Sequence, residues 1–168
     1  MRIATGGFLA AACVLAAACI LAATGAHAQS RPPTAKETAA IRACAIKNQD
    51  DPEKAGRECV YKLVAAPCID KFGTTGAGGG QVADCYRIEA AVWDALLNEN
   101  YKVLVGGLDA VQAAKARTMQ RDWIASRDST CNFIYDKIQG SMAIPMIAEC
   151  VASETARRAI KLKVFAGL

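Results

Sequence analysis

The sequence predicts an all-α fold, a small disulfide-stapled antiparallel bundle of helices. Three observations lead there. No stretch reads convincingly as a strand, whereas Val92/Trp93, Leu96/Leu97, Tyr101 and Leu104 recur at three- and four-residue steps, the period of an amphipathic helix. Breaks at Gly106-Gly107 and at Gln139-Gly140-Ser141 cut the second half of the chain into long helical runs. Six cysteines remain once an N-terminal leader is set aside, and an even number in an exported chain reads as a disulfide framework.

The leader occupies residues 1–28 of the 168. Arg2 supplies a positive start, residues 8–23 are almost wholly apolar, and Ala26-His27-Ala28 is a small-x-small cleavage site. That apolar run, about 16 residues, is short of the roughly 20 that span a bilayer, so a cleaved signal peptide is expected rather than an anchor. A lipid-bearing cysteine would be Cys13 or Cys19. Apolar sequence continues past both, and Ala16 stands where a large aliphatic residue would precede Cys19. The expected address is periplasmic or secreted, with no membrane contact after cleavage.

The mature chain opens with Arg31-Pro32-Pro33, which favours extended backbone. Thr34 and Glu37 have capping-box spacing, so a helix is expected over residues 35–48. Asp51 then caps a second helix with Pro52 in its first position. That helix is expected to carry Cys59, Val60, Leu63 and Val64 and to stop before Pro67. Residues 73–80 are glycine-rich. They match neither the P-loop nor the dinucleotide-binding pattern and read as a loop spanned by a disulfide. Helix is expected from Val82 to Gly106, from about Leu108 toward Cys131 or Ile138, and from Ser141 or Ile144 to the fraying end at Ala166. The division is thus a leader over 1–28, a Cys-containing helical segment with the glycine-rich loop over 29–81, and a helical domain over 82–163.

Six cysteines allow many pairings. Cys131 and Cys150 flank the Gly140 turn, and helices antiparallel across it would bring them together. Two short antiparallel helices would likewise join Cys44 to Cys59, and elimination then leaves Cys68 with Cys85. Sequence alone does not choose among the pairings of those four.

Composition narrows the chemistry. Removing the leader takes away His27, the only histidine, and lowers the formal charge from +4 to +3 by the loss of Arg2. With no histidine, no Cys-x-x-Cys pair and all cysteines paired, His-based, thiolate and zinc mechanisms have no residues to work with. Asp122 and Asp128 lie on different faces of one helix, and Glu89, Asp94 and Glu99 are expected to form a solvated face. The chain therefore reads as no enzyme, with no cofactor and no metal. Its mild, mixed charge gives no reason to expect nucleic acid.

Four motifs occur in order: Asp94-x-x-Leu97-Asn98-x-x-Tyr101, Gln120-Arg121-x-Trp123-Ile124-x-x-Arg127-Asp128-x-x-Cys131, Gly140-Ser141, and Cys150-x-x-x-x-Thr155-x-x-Arg158-x-x-x-Leu162. Together they resemble the LprI-like lysozyme-inhibitor family over about residues 82–163. The family turn usually has two glycines before the serine, and Gln139 stands in place of the first. The resemblance implies a small exported helical domain, a disulfide between Cys131 and Cys150, and binding to lysozyme. The alternative partner is another periplasmic protein or a wall component.

Trp123, Arg127, Asp128 and Arg158 are expected to serve the framework. Arg127 would stack on Trp123 or pair with a neighbouring carboxylate, Arg158 would pair with Asp128 or Asp94, and both tryptophans would be core. Partner contact is expected from the connections instead, at residues 71–81 led by Lys71 and at Gln139-Gly140-Ser141. At the latter, backbone donors and Ser141 could meet a catalytic carboxylate of the enzyme. A net charge of +3 gives no long-range steering toward a basic enzyme, so such an inhibitor would work by fit.

Overall fold

The structure is a computed structural model and describes residues 30–72 and 78–168. The expected leader, with its cleavage site and Cys13 and Cys19, and residues 73–77 of the glycine-rich segment lie outside the described residues. Within them the fold is all-α. Three short helices, α1 (Ala35–Lys47), α2 (Pro52–Cys59) and α3 (Ala65–Asp70), precede three long ones, α4 (Gly79–Gly106), α5 (Ala110–Ile138) and α6 (Gly140–Ala166).

The helix starts follow from local chemistry. Thr34 and Glu37 form the reciprocal box: the Glu37 N–H donates to Thr34 Oγ1 at 3.2 Å, and the Thr34 N–H donates to Glu37 Oε2 at 2.7 Å. Asp51 Oδ1 accepts from the Lys54 N–H at 2.9 Å at the start of α2. Asp109 and Gln112 repeat the reciprocal arrangement at α5, at 2.8 and 3.2 Å.

The structure differs from expectation at two helix ends. The second helix does not continue to Pro67. It ends at Cys59, the chain turns through residues 60–64, and Pro67 lies in the first turn of α3. A proline there forfeits no helical hydrogen bond, so it permits a helix where the sequence suggested a stop. The turn depends on Tyr61, which adopts φ +71°. The second difference is that the glycine-rich segment yields to helix earlier than Val82. Gly79 and Gly80 are already in α4, and Gln81 Oε1 accepts from the Gly78 N–H at 2.9 Å.

Successive long helices are antiparallel, but the principal contact is between the parallel pair α4 and α6. Two observations set their direction. Gly79, at the start of α4, lies against Ser141 and Pro145 at the start of α6, and farther along Asn100 Nδ2 donates to the Ala159 carbonyl at 2.9 Å. A Cβ on Gly79 would come within 2.9 Å of the Ser141 carbonyl oxygen, so only glycine allows this approach. Pro145 has no N–H to offer that same carbonyl, four residues before it. A stripe of buried alanines along α6, Ala148, Ala152, Ala156 and Ala159, keeps the two helices close.

The core sits between α4, α6 and the short helices. It contains Ile41, Val64, Ile88, Val92, Trp93, Leu97, Leu104 and Leu162. Helix α5 packs on α6 and adds only partly buried Met119 and Trp123 to the core. Disulfides tie the layers together. Cys44–Cys59 joins α1 to α2, Cys68–Cys85 joins α3 to α4, and Cys131–Cys150 joins α5 to α6, with Cα–Cα distances of 5.7, 5.6 and 5.6 Å. Among the described residues no helix is long and apolar enough to cross a membrane.

Candidate functional site

The motif residues converge where α5 crosses α6. Trp123 is half-buried, with the guanidinium of Arg127 5.0 Å and that of Arg158 5.4 Å from its ring centroid. Residues four apart on α5 share a face, which brings Arg127 over Trp123. Arg127 also forms an ion pair with Asp128 at 2.7 Å and donates to Thr155 Oγ1 on α6 at 3.3 Å.

Arg158 differs from expectation. It pairs with neither Asp128 nor Asp94. Asp128 is occupied by Arg127, and Asp94 accepts instead from Asn98 on the exposed face of α4. Arg158 Nε donates to Gln120 Oε1 at 2.9 Å, and Nη2 donates to the Met119 carbonyl at 3.4 Å. Burial lowers its pKa from the usual guanidinium value. A buried cation answered by an amide, a carbonyl and an indole face is a locking device between helices. Gln120 is the residue sequence reading left out, although its place in the Gln120-Arg121-x-Trp123 motif marks it.

Glu89 is a second departure. It was expected on a solvated face, yet it is 1% exposed. Its carboxylate accepts from the Tyr61 N–H at 2.6 Å, the Ala65 N–H at 2.9 Å and Trp93 Nε1 at 3.2 Å. It therefore satisfies the turn between α2 and α3, including the N–H of left-handed Tyr61. The signal was present in the periodicity. Cys85, Ile88, Val92 and Trp93 surround position 89 on one helical face, and a carboxylate there must be buried with partners. Glu99, by contrast, is exposed and accepts both terminal nitrogens of Arg42 on α1, one at 2.8 Å.

The two predicted contact regions occupy different positions. Lys71 is exposed at the C-terminal end of α3. Gly140 and Ser141 are exposed at the start of α6, beside the start of α4. The turn is made by Gln139 at φ 57°, ψ 168° and Gly140 at φ +64°. Gln139 thus holds a backbone region that is almost reserved for glycine, and its side chain gives α6 no cap. Around the turn lie exposed apolar residues: Phe133, Tyr135 and Ile138 on α5, and Met142, Ile144 and Met146 on α6. Met142 and Met146 lie eight and four residues before Cys150 along α6. The Cys131–Cys150 bridge holds this tip from below.

A separate groove of about 220 Å³ lies between α1, α4 and α6. Ala45, Ile46, Leu96 and Ile160 give it apolar walls, with Arg42, Glu99 and Lys163 also lining it.

No curated protein and no solved structure matches the chain. The family model described as lysozyme inhibitor LprI matches residues 74–162, more than half of the chain. The match spans α4 and α5 whole and α6 almost to its end, and so includes the Trp123 lock, the Cys131–Cys150 bridge and the exposed tip. By that match the chain belongs to the lysozyme inhibitor LprI family.

Proposed function

We propose that the protein is an exported, non-enzymatic binding protein that inhibits lysozyme through the turn between α5 and α6. The family match over the three-helix unit carries this reading. Three disulfides favour an oxidising compartment, consistent with export. They also leave no free thiol among the described residues, and the chain has no histidine beyond His27.

The geometry favours the turn as the contact. Helices α4 and α6 begin side by side there, and a helix start carries roughly half a positive charge with unpaired N–H groups. Helix α6 has no side-chain cap to occupy those donors. A lysozyme cleft offers the complement, a pair of catalytic carboxylates. Met142 and Ile138 flank the turn and would be buried against the cleft walls. Gly140 lets the backbone approach closely, and Ser141 adds a hydroxyl.

The test is lysozyme digestion of cell walls in the presence of the purified, oxidised mature protein. Lysis should slow with several lysozyme types at protein concentrations of roughly tens of micromolar or below. Met142→Asp and Ile138→Asp, both at exposed positions, should each weaken inhibition about tenfold while leaving the helical content unchanged. Undiminished lysis with every enzyme type would sink the reading and leave another envelope protein or a wall component as the partner.

A further inference from the structure

The groove between α1, α4 and α6 is independent of the tip, and its chemistry suggests a ligand of its own. We infer that it binds a free medium-chain carboxylic acid, with the alkyl chain inside and the carboxylate at Lys163.

Three features of the groove support this. Its walls are mostly apolar: Ala45 and Ile46 from α1, Leu96 from α4, and Ile160 from α6. Ile46 is 68% exposed beside it, a large aliphatic side chain left uncovered. The volume, about 220 Å³, is below the roughly 300–1,000 Å³ of pockets that take drug-sized molecules. A methylene occupies about as much space as a water, roughly 30 Å³, so the groove suits a chain of about seven or eight carbons.

The charges at the groove select the head group. Two cations and one anion line it: Arg42, Lys163 and Glu99. Arg42 and Glu99 neutralise each other in a two-pronged pair that also bridges α1 to α4. Lys163 has no ion-pair partner among the described residues. The uncompensated charge is therefore one positive, placed beside an apolar trough. A monoanion with an apolar tail answers both features. An alkylamine would meet Lys163 with like charge, and a neutral alcohol would leave it unanswered.

Octanoate is the probe, titrated into the oxidised mature protein and followed by amide and indole NMR shifts. Trp93 lines the groove and Trp123 does not, so the two indole N–H signals report location. Octanoate should move the Trp93 signal and leave that of Trp123 in place. Butanoate should bind at least tenfold more weakly, because each methylene removed costs about fourfold. Octylamine should not bind detectably, and octanol should bind at least fivefold more weakly than octanoate. Lys163→Glu, an exposed change, should weaken octanoate at least tenfold and admit octylamine. The inference is overturned by any of four results: no shift with millimolar octanoate, shifts confined to Trp123, equal binding of octanol, or unchanged octanoate binding in Lys163→Glu. Lysozyme inhibition should be the same in that variant, which separates this site from the tip.

Discussion

Helices α4 and α5 are almost equal in length, 28 and 29 residues, but they contribute differently to the fold. Helix α4 buries Cys85, Ile88, Glu89, Val92, Trp93, Leu97 and Leu104, and is covered by α6 and the short helices. Helix α5 buries only Ala113, Ala116, Gln120 and Cys131, while Val111, Phe133 and Tyr135 stay exposed. One helix is held by apolar area, the other by a disulfide and a stack of two guanidiniums on an indole. A helix held in that way does not need its apolar residues for the core. Under the proposed function, those at the tip of α5 and α6 are the ones that meet lysozyme.

The two tryptophans give the sharpest test of this difference. Trp93→Ala should cost about 4 kcal/mol, since it opens a fully enclosed site and leaves Glu89 without its indole donor. Trp123→Ala, at a half-buried site, should cost about 2 kcal/mol, mostly through the lost contacts with Arg127 and Arg158. Equal losses in urea unfolding would break the comparison.

Replacing Cys131 and Cys150 together by alanine should cost about 3 kcal/mol. The loss should be local as well as global. Amide hydrogen exchange should accelerate along α5 and leave α4 protected, because α4 does not depend on that bridge. Uniform acceleration would mean that the two helices unfold as one unit and would argue against a separately held α5.

Gln139→Gly should act in the opposite direction and stabilise by about 1 kcal/mol, because it relieves a backbone conformation that side chains disfavour. The midpoint of thermal unfolding should rise. A fall would show that the Gln139 side chain supports the turn. The same variant in the lysozyme assay would show whether that side chain is part of the contact.

The smallest effect belongs to the well-packed half. Arg31 donates to Glu37, and with the Thr34 donors holds its carboxyl at about 2, below the usual 4.5. The unfolded chain binds this proton more tightly, so the stabilisation is complete above pH 4.5 and is lost as pH falls toward 2. Glu37→Gln should therefore cost about 1 kcal/mol or less at neutral pH. The gap between variant and wild-type urea midpoints should close in acid, with exchange along α5 unaffected.

Much of this architecture could be read from residues near in sequence. The capping box at Thr34, the Asp51-Pro52 helix start, the break at Gly106-Gly107 and the turn at Gly140 act over one helical turn, where local chemistry dominates. The stacking of Arg127 on Trp123 is legible for the same reason, since the two lie four residues apart on one face. Contacts between residues far apart along the chain are not legible in this way. The partners of Glu89 at Tyr61 and Ala65 come from the turn between α2 and α3, and Arg158 meets Gln120 and Met119 rather than a carboxylate because of how α5 lies on α6. Pro67 lies in the first turn of α3, rather than ending a helix, because of the turn at Tyr61.

By itself, then, the sequence determined the helical class and the limits of α1 and of the three long helices to within a few residues. Periodicity, caps and composition are short-range properties of the chain. Only the tertiary structure decided that α4 and α6 run side by side in parallel, that Gly79 must be glycine to meet Ser141, and that a groove opens beside Lys163. These depend on how closely two surfaces approach, and alanine, glycine and proline set that approach only once both surfaces are in place.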